Sequence, residues 1–202
     1  VKRGDRVLLY MQNSPQFIVA FYAILRADAV VVPVNPMNLT AEIAHYIEDA
    51  DATTAVVGQE VFPQIQPHVG ATLLKNVIVA TYSDYLTATT DLKVPDFVQA
   101  PRIELTQSGI TAWRAALDED LQPSPSTVGP QDLCVMPYTS GTTGKPKGCI
   151  HIHSSVMMTT VTHGAWLGAG TADATILAVL PFFHVTGMQG SMNGPIYYGQ
   201  TI

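Results

Sequence analysis

The apolar positions of this chain fall into short β-branched runs that alternate with segments of helical spacing. Arg6–Tyr10 predicts a strand. Asn13-Ser14-Pro15 predicts a helix start, with Ser14 as cap and Pro15 at the first helical position. Phe17, Phe21, Ile24 and Leu25 continue that helix on one side. Val30–Val34 is a β-branched run suited to a strand buried on both faces. Thr40 is expected to cap the next helix, in which Ile43, Tyr46, Ile47 and Ala50 share a face. Thr53–Val57 predicts a strand, Val61–Val69 a weak helix and Asn76–Ala80 a further strand. Strands alternating with helices imply parallel pairing through right-handed crossovers. The expected fold class is therefore α/β, a largely parallel sheet with helices packed on its faces.

The pattern is less regular after residue 80. Thr81–Gln107 carries little periodicity and reads as irregular. Ile110, Trp113, Ala116 and Leu117 predict a short amphipathic helix, and the proline-rich stretch 122–130 predicts a linker. Leu133–Tyr138 reads as a strand entering a loop, and Cys149–Ile152 as a strand leaving it, so the two make a hairpin-like grip. A helix is expected from His153 or Ser154 through Trp166. Thr175–Leu180 predicts a strand that delivers the segment around His184, and Met188–Tyr198 a further helix. Met157, Met158, Trp166, Phe182 and Phe183 are expected to serve in packing.

The loop between those two strands carries most of the chemistry. Residues 138–148 read Tyr-Thr-Ser-Gly-Thr-Thr-Gly-Lys-Pro-Lys-Gly, which places Thr139, Ser140, Thr142, Thr143, Gly141, Gly144, Gly148, Lys145 and Lys147 within eleven positions. Glycines let the backbone approach a bulky anion. Successive N–H groups in such a turn form a concave surface for phosphate oxygens, and lysine adds a mobile point charge. This composition suits a polyphosphate. The pattern G-x-x-x-x-G-K-[ST] of the common NTPase loop does not fit, because Thr139 stands at its first glycine and Pro146 at its metal-binding hydroxyl. A neutral Ser/Thr/Gly linker would have no need of the paired lysines.

Composition narrows the partners. The chain is 47% hydrophobic and 13% charged with net charge −6, so it is globular and carries no basic cluster beyond the loop lysines. Nucleic acid is not expected as a partner, and no apolar run reaches the length of a membrane span. Cys134 and Cys149 bracket the loop without metal-ligand spacing and read as free thiols. His151, His153 and His163 lack a third partner of clear spacing, and no metal site is expected in the chain.

The 138–148 run closely resembles the phosphate-binding signature of the adenylate-forming (AMP-binding) superfamily, most like a fatty acyl-CoA synthetase. Leu180-Pro181-Phe182-Phe183-His184-Val185-Thr186-Gly187-Met188 is similar to that family's Pro-x-Phe-His segment. Gly4-Asp5-Arg6-Val7 and Ala29–Pro36 resemble the opening of its nucleotide-binding half, except that Asp28 stands where the family usually has glycine. The resemblance runs over essentially the whole chain and implies an ATP-dependent carboxylate-activating ligase. Such an enzyme forms an acyl-adenylate and then an acyl-CoA thioester, using ATP, Mg2+ and coenzyme A, with a fatty acid as the expected acid. Thr139, Ser140, Gly141, Thr142, Thr143, Gly144, Lys145 and Lys147 are then the nucleotide-binding residues. Lys147 and His184 are the catalytic candidates, and Met188, Met192 and Asn193 lie where an acyl pocket or plain helix packing would use them. The family's enzymes are much longer, so the chain is expected to be part of a large N-terminal domain (1–202), lacking a C-terminal domain and inactive alone. A cytoplasmic location is expected, with peripheral attachment of the full-length protein to the inner membrane, and a homodimer through an exposed sheet edge, left open. The competing readings are an adenylation domain that loads a carrier protein and a non-catalytic nucleotide-binding module.

Overall fold

The computed structural model describes residues 1–139, 144–167 and 172–202. The strands are β1 (Arg6–Tyr10), β2 (Val30–Val34), β3 (Thr54–Gly58), β4 (Asn76–Ala80), β5 (Ile110–Ala112), β6 (Leu133–Val135), β7 (Tyr138–Thr139), β8 (Lys147–Gly148) and β9 (His151–Ile152). The α-helices are α1 (Pro15–Arg26), α2 (Thr40–Asp49), α3 (Phe62–Ile65), α4 (Asp96–Gln99), α5 (Trp113–Asp118), α6 (His153–Leu167), α7 (Val185–Gly187) and α8 (Gly194–Tyr198). Seven strands form one sheet in the order β5-β4-β3-β1-β2-β6-β9, and β7 and β8 form a separate two-stranded ribbon. Pairing is parallel throughout the large sheet except for the antiparallel β6–β9 contact.

Alternation along the strands divides the core. Val7, Leu9 and Met11 join Phe17, Phe21 and Ile24 of α1, Trp113, Val156 and Phe182 on one face. Leu8 and Tyr10 join Ile43, Tyr46 and Ile47 of α2 and Phe62 and Ile65 of α3 on the other. Each fully buried Leu, Ile or Phe contributes about 1.5–3 kcal/mol, so the two-sided sheet is the dominant source of stability. Pro33, which has no N–H to give, lies past the β2–β6 ladder, which pairs only Val31 with Val135.

The capping of α1 matches the sequence: Ser14 Oγ accepts the Phe17 N–H at 3.1 Å. In α2 the expected cap is displaced. Thr40 is the first helical residue, its hydroxyl donates to Gln64 Oε1 at 2.8 Å, and the Glu42 carboxylate instead accepts the Leu39 N–H at 2.8 Å. The expected helix 61–69 breaks into α3 and a 3₁₀ turn at Gln66–His68, because Pro67 removes a donor. Ile110–Ala112 is an edge strand and not the start of a helix, which leaves α5 only Trp113–Asp118. The expected strand 133–138 splits at Pro137 into β6 and β7. The expected strand 175–180 is reduced to a single bridge between Thr175 and Thr201. A strand needs a neighbour for its ladder, and beyond this bridge Leu177 and Val179 are solvent-exposed. The helix expected over 188–198 is π-helical from Met188 to Asn193 and α-helical only from Gly194. Pro195 has no N–H for the regular i→i−4 bond, and the wider turn accommodates that loss.

The stretch 122–130 is extended but held in place. Asp28 adopts φ 58°, a left-handed conformation in which glycine is at ease. Its carboxylate accepts from Ser126 Oγ (2.6 Å), Thr127 N (2.7 Å) and Thr127 Oγ1 (2.8 Å). Arg26 reaches the Ser124 carbonyl at 2.7 Å, and Asp132 accepts the Gly129 N–H at 2.6 Å while pairing with Arg3 at 2.8 Å. The departure from the family's glycine is thus offset by three hydrogen bonds that fasten the linker to the end of α1.

Candidate functional site

Two segments carry the expected chemistry, and both lie beyond the carboxyl ends of parallel strands, where α/β proteins gather their ligands. The first follows β6. Met136 N donates to the Val31 carbonyl at 2.8 Å, Pro137 ends the parallel ladder, and β7 turns away to pair antiparallel with β8. The register sets Tyr138 opposite Gly148 and Thr139 opposite Lys147. The strands expected over 133–138 and 149–152 pair antiparallel only as β6 with β9, inside the large sheet; the ribbon at the loop is instead β7–β8, which brings the trailing lysine level with the leading threonine. Thr139, Gly144, Lys145 and Lys147 are exposed, and among the described residues neither lysine enters an ion pair. Ser140, Gly141, Thr142 and Thr143 lie outside the described residues.

The stems of this hairpin rest on α2. Tyr138 donates to Asp49 Oδ2 at 2.6 Å and packs edge-on against Tyr46 at 4.4 Å between ring centroids. Burial, then the bond to Asp49, pushes the Tyr138 phenol well above its ordinary range, so it stays protonated and remains a donor. His45 Nε2 donates to the Pro146 carbonyl at 2.9 Å. One turn of α2 thus holds the chain both before and after the loop. Sequence reasoning missed His45 and Asp49; their spacing of four on the polar side of an amphipathic helix is the signal that could have raised them.

The second segment follows Leu180 and is anchored to the residues after β1. Asn13 Oδ1 accepts the Phe182 N–H at 2.7 Å, while its amide donates to the Leu180 and Ala178 carbonyls at 2.9 and 3.1 Å. Phe182 is buried against Phe17 at 5.6 Å between centroids. His184 follows as the cap of α7: its Nδ1 accepts the Thr186 N–H at 3.3 Å, which leaves Nε2–H as its free polar group on an exposed ring. Gly187 makes the turn possible, since a Cβ there would sit 2.1 Å from the Pro181 carbonyl oxygen.

Other candidates are redistributed. Met188 and Met192 are fully buried core residues, whereas Asn193 lines an open apolar groove of about 930 Å³ with Phe21, Tyr22, Leu25, Val161 and Tyr197. Its side chain accepts from the Tyr22 hydroxyl at 2.8 Å and donates to Gln189 Oε1 at 3.1 Å. Met157 and Met158, expected in packing, line the same groove and are exposed, and Trp166 is 89% exposed. Apolar residues run all round α6, so only one of its faces can meet the sheet. His153 begins α6 and does not share a strand with His151; among the described residues no group of three or more His, Cys, Asp or Glu could hold a metal ion. Cys134 and Cys149 are both free, and burial pushes the Cys134 thiol up to about 11. No helix of the described residues is long and apolar enough to cross a membrane.

A largely parallel α/β sheet with a short hairpin at the carboxyl ends of its strands is an arrangement in which α/β proteins bind ligands. The AMP-binding enzyme family profile matches residues 1–202, and the chain belongs to that family. It is 26% identical to a long-chain-fatty-acid–CoA ligase of Bacillus subtilis, over 98% of this chain and 37% of the relative. To a ligase of the same name from Escherichia coli O6:H1 it is 30% identical, over 92% of this chain and 34% of the relative. The fold matches the crystal structure of an anthranilate CoA ligase in complex with anthranoyl-AMP with a TM-score of 0.79 at 23% identity, covering all of this chain and 35% of that one. The chain spans about a third of the length of the curated relatives it matches.

Proposed function

We propose that this chain supplies the triphosphate grip and part of the acid site of an ATP-dependent, AMP-forming acid–thiol ligase acting on fatty acids. The observation that carries the proposal is the β7–β8 hairpin, which sets Lys147 level with Thr139 at the carboxyl edge of the sheet. The acid is already ionised at neutral pH, since carboxyl pKa values lie near ~4–5. Attack on the α-phosphate therefore needs no general base. The demands are alignment of two anions and stabilisation of charge on the departing pyrophosphate. Ser140, Gly141, Thr142, Thr143 and Gly144, with their backbone N–H groups, hold the β- and γ-phosphates. Lys147 neutralises the leaving group with Lys145 beside it, and His184 positions the carboxylate through its free Nε2–H. Coenzyme A then takes the acyl group as a thioester and AMP departs. When bound, Mg2+ supplies charge on the phosphates, and the described residues offer no cluster that would hold it.

The fatty-acid preference is supported by the names of the relatives and by the apolar groove beside Asn193. A cytoplasmic location is part of the same proposal and is supported by the two free thiols, Cys134 and Cys149. Residues 1–202 are proposed as part of a larger N-terminal domain, with the isolated chain inactive. Carboxylate-dependent ATP–pyrophosphate exchange tests this directly. The full-length protein should exchange with a fatty acid and the 1–202 piece should not. Exchange by the piece alone would sink the incompleteness, and no exchange by the full-length protein would sink the function. In the full-length protein, Lys147→Ala should slow adenylate formation more than thioester formation from preformed adenylate; equal slowing would refute its pyrophosphate role.

A further inference from the structure

We propose that His45 and Asp49 of α2 are positioning residues for the triphosphate grip: together they clamp its two stems, at Tyr138 and Pro146, and fix where Thr139 and Lys147 stand. The inference rests on the proposed function for what the loop holds, but the clamp itself stands on geometry. Residues four apart on a helix lie on one side, one turn above the other. Here that side carries His45, bonded at 2.9 Å to the carbonyl of Pro146, and Asp49, accepting at 2.6 Å from the hydroxyl of Tyr138. Tyr46, between them in sequence, is buried in the sheet-facing core and stacks edge-on with the Tyr138 ring, whose distance from the His45 ring is 6.1 Å.

The consequence is mechanical. The loop leaves β7 at Thr139 and returns to β8 at Lys147, and the β7–β8 ladder spans only two residue pairs. A two-stranded ribbon this short does not hold its own register in water. The register that sets Lys147 opposite Thr139 is thus fixed from outside, by a helix seated on the main sheet. His45 acts on Pro146, directly before the lysine, and Asp49 acts on Tyr138, directly before the threonine. Neither side chain needs to touch the nucleotide to determine where both donors stand.

The test uses the full-length protein with His45→Ala, Asp49→Ala, Asp49→Asn and, as a control on the same helix, the exposed Glu48→Ala. Loss of one hydrogen bond at a partly exposed site corresponds to roughly a threefold to tenfold effect. His45→Ala and Asp49→Ala should raise the KM for ATP by that factor in pyrophosphate exchange. The KM for the carboxylate and the rate of thioester formation from preformed adenylate should stay within about twofold. Asp49→Asn keeps an acceptor for Tyr138 and should restore most of the loss, and Glu48→Ala should behave as wild type. Trypsin supplies a readout independent of activity. Lys145 is protected by the following Pro146, so cleavage in the loop falls after Lys147 and should accelerate in both alanine variants and not in Glu48→Ala. Uniform losses in every kinetic parameter would mark a merely structural role and overturn the clamp, as would an unchanged KM for ATP or unchanged cleavage after Lys147. Absence of exchange in wild type would refute the proposed function alone, and the cleavage rates would still decide the clamp.

Discussion

Replacing Phe182 by alanine probes the link between the sheet and His184. Phe182 is 2% exposed, its ring lies 5.6 Å from that of Phe17 at 54°, and its N–H is held by Asn13 at 2.7 Å. Truncation removes a whole ring from a core whose other members, Phe17, Met188 and Met192, are rigidly placed by α1 and the π-helical turn. A Phe→Ala change at such a site costs about 3–5 kcal/mol. For a chain of this size each kcal/mol lowers Tm by roughly 2–4 °C, so a drop of roughly 6–20 °C is expected. Asn13→Ala at the partly exposed mouth of the same anchor loses hydrogen bonds only and should cost less, about 0.5–1.5 kcal/mol per bond before water replaces it. Thermal unfolding of both variants orders the two contributions, and the carboxylate KM of the full-length enzyme reads the displacement of His184. A Tm shift below about 2 °C for Phe182→Ala, or a larger shift for Asn13→Ala, would refute the view that the ring anchors this segment. A normal carboxylate KM in a destabilised Phe182→Ala enzyme would detach His184 from the anchor.

Three other outcomes follow. Hydrogen bonds from Ser126 first, then from the Thr127 backbone and hydroxyl, hold the Asp28 carboxyl below its ordinary value of 3.8. The stability this confers is complete above the unfolded-state pKa and is lost as pH falls through the lower folded-state value. Asp28→Ala should therefore narrow its gap from wild type only in acid, and parallel pH–stability curves would refute the tether. Met157→Trp, which fills the open groove beside α6, should shorten the acyl chains accepted by the full-length enzyme; an unchanged chain-length profile would remove the groove from the acid site. Cys134, with its thiol pushed to about 11 by burial, should be alkylated at pH 8 roughly a hundredfold more slowly than an ordinary thiol, and a rate equal to that of Cys149 would contradict its burial.

Most of the first eighty residues were legible because each element carries its own signal; the exceptions are the cap of α2 and the helix expected over 61–69. The Ser14-Pro15 start, the β-branched run at Val30–Val34 and the one-sided apolar spacing of α2 all agree with the sheet they build. Legibility fails where the partner, not the segment, decides. Ile110–Ala112 is too short to show a period and becomes a strand only because β4 is beside it. Trp166 and Met158 look like core residues, yet α6 has more apolar faces than the sheet can cover. The π-helical turn follows from a single proline at 195, which a helical pattern passes over. Within the site, the residue types of the loop raise the phosphate reading and an antiparallel pairing around it is expected, but not the β7–β8 ribbon that uses Lys147 and Gly148. The clamp was not expected either, since Tyr138 and Pro146 lie 89 and 101 positions from their partners on α2. Asp28 was marked as a departure from the family's glycine, but its three bonds to Ser126 and Thr127 depend on a linker that sequence alone leaves unplaced.

The two site segments reach the same edge of the sheet from opposite faces, and this arrangement accounts for their separation in sequence. Tyr138 packs with the α2 face, alongside Tyr10 and Tyr46, whereas Phe182 and Phe183 pack with the α1 face, alongside Leu9 and Phe17. Because β1, β2 and β6 are parallel neighbours, their carboxyl ends lie together, and the chain leaving β1 at Asn13 and the chain leaving β6 at Tyr138 must come to one rim. A nucleotide gripped from the α2 side and an acid positioned from the α1 side would meet across that rim, with neither segment displacing the other. On the proposed function the sheet would fix two anions in relation to each other through its strands, each held by the core on its own face. Loosening either anchor should then impair only the ligand on its own side: ATP for His45 and Asp49, the acid for Asn13 and Phe182. If variants on one side raised the KM for the other side's ligand as strongly as for their own, the division of labour between the two faces would be wrong.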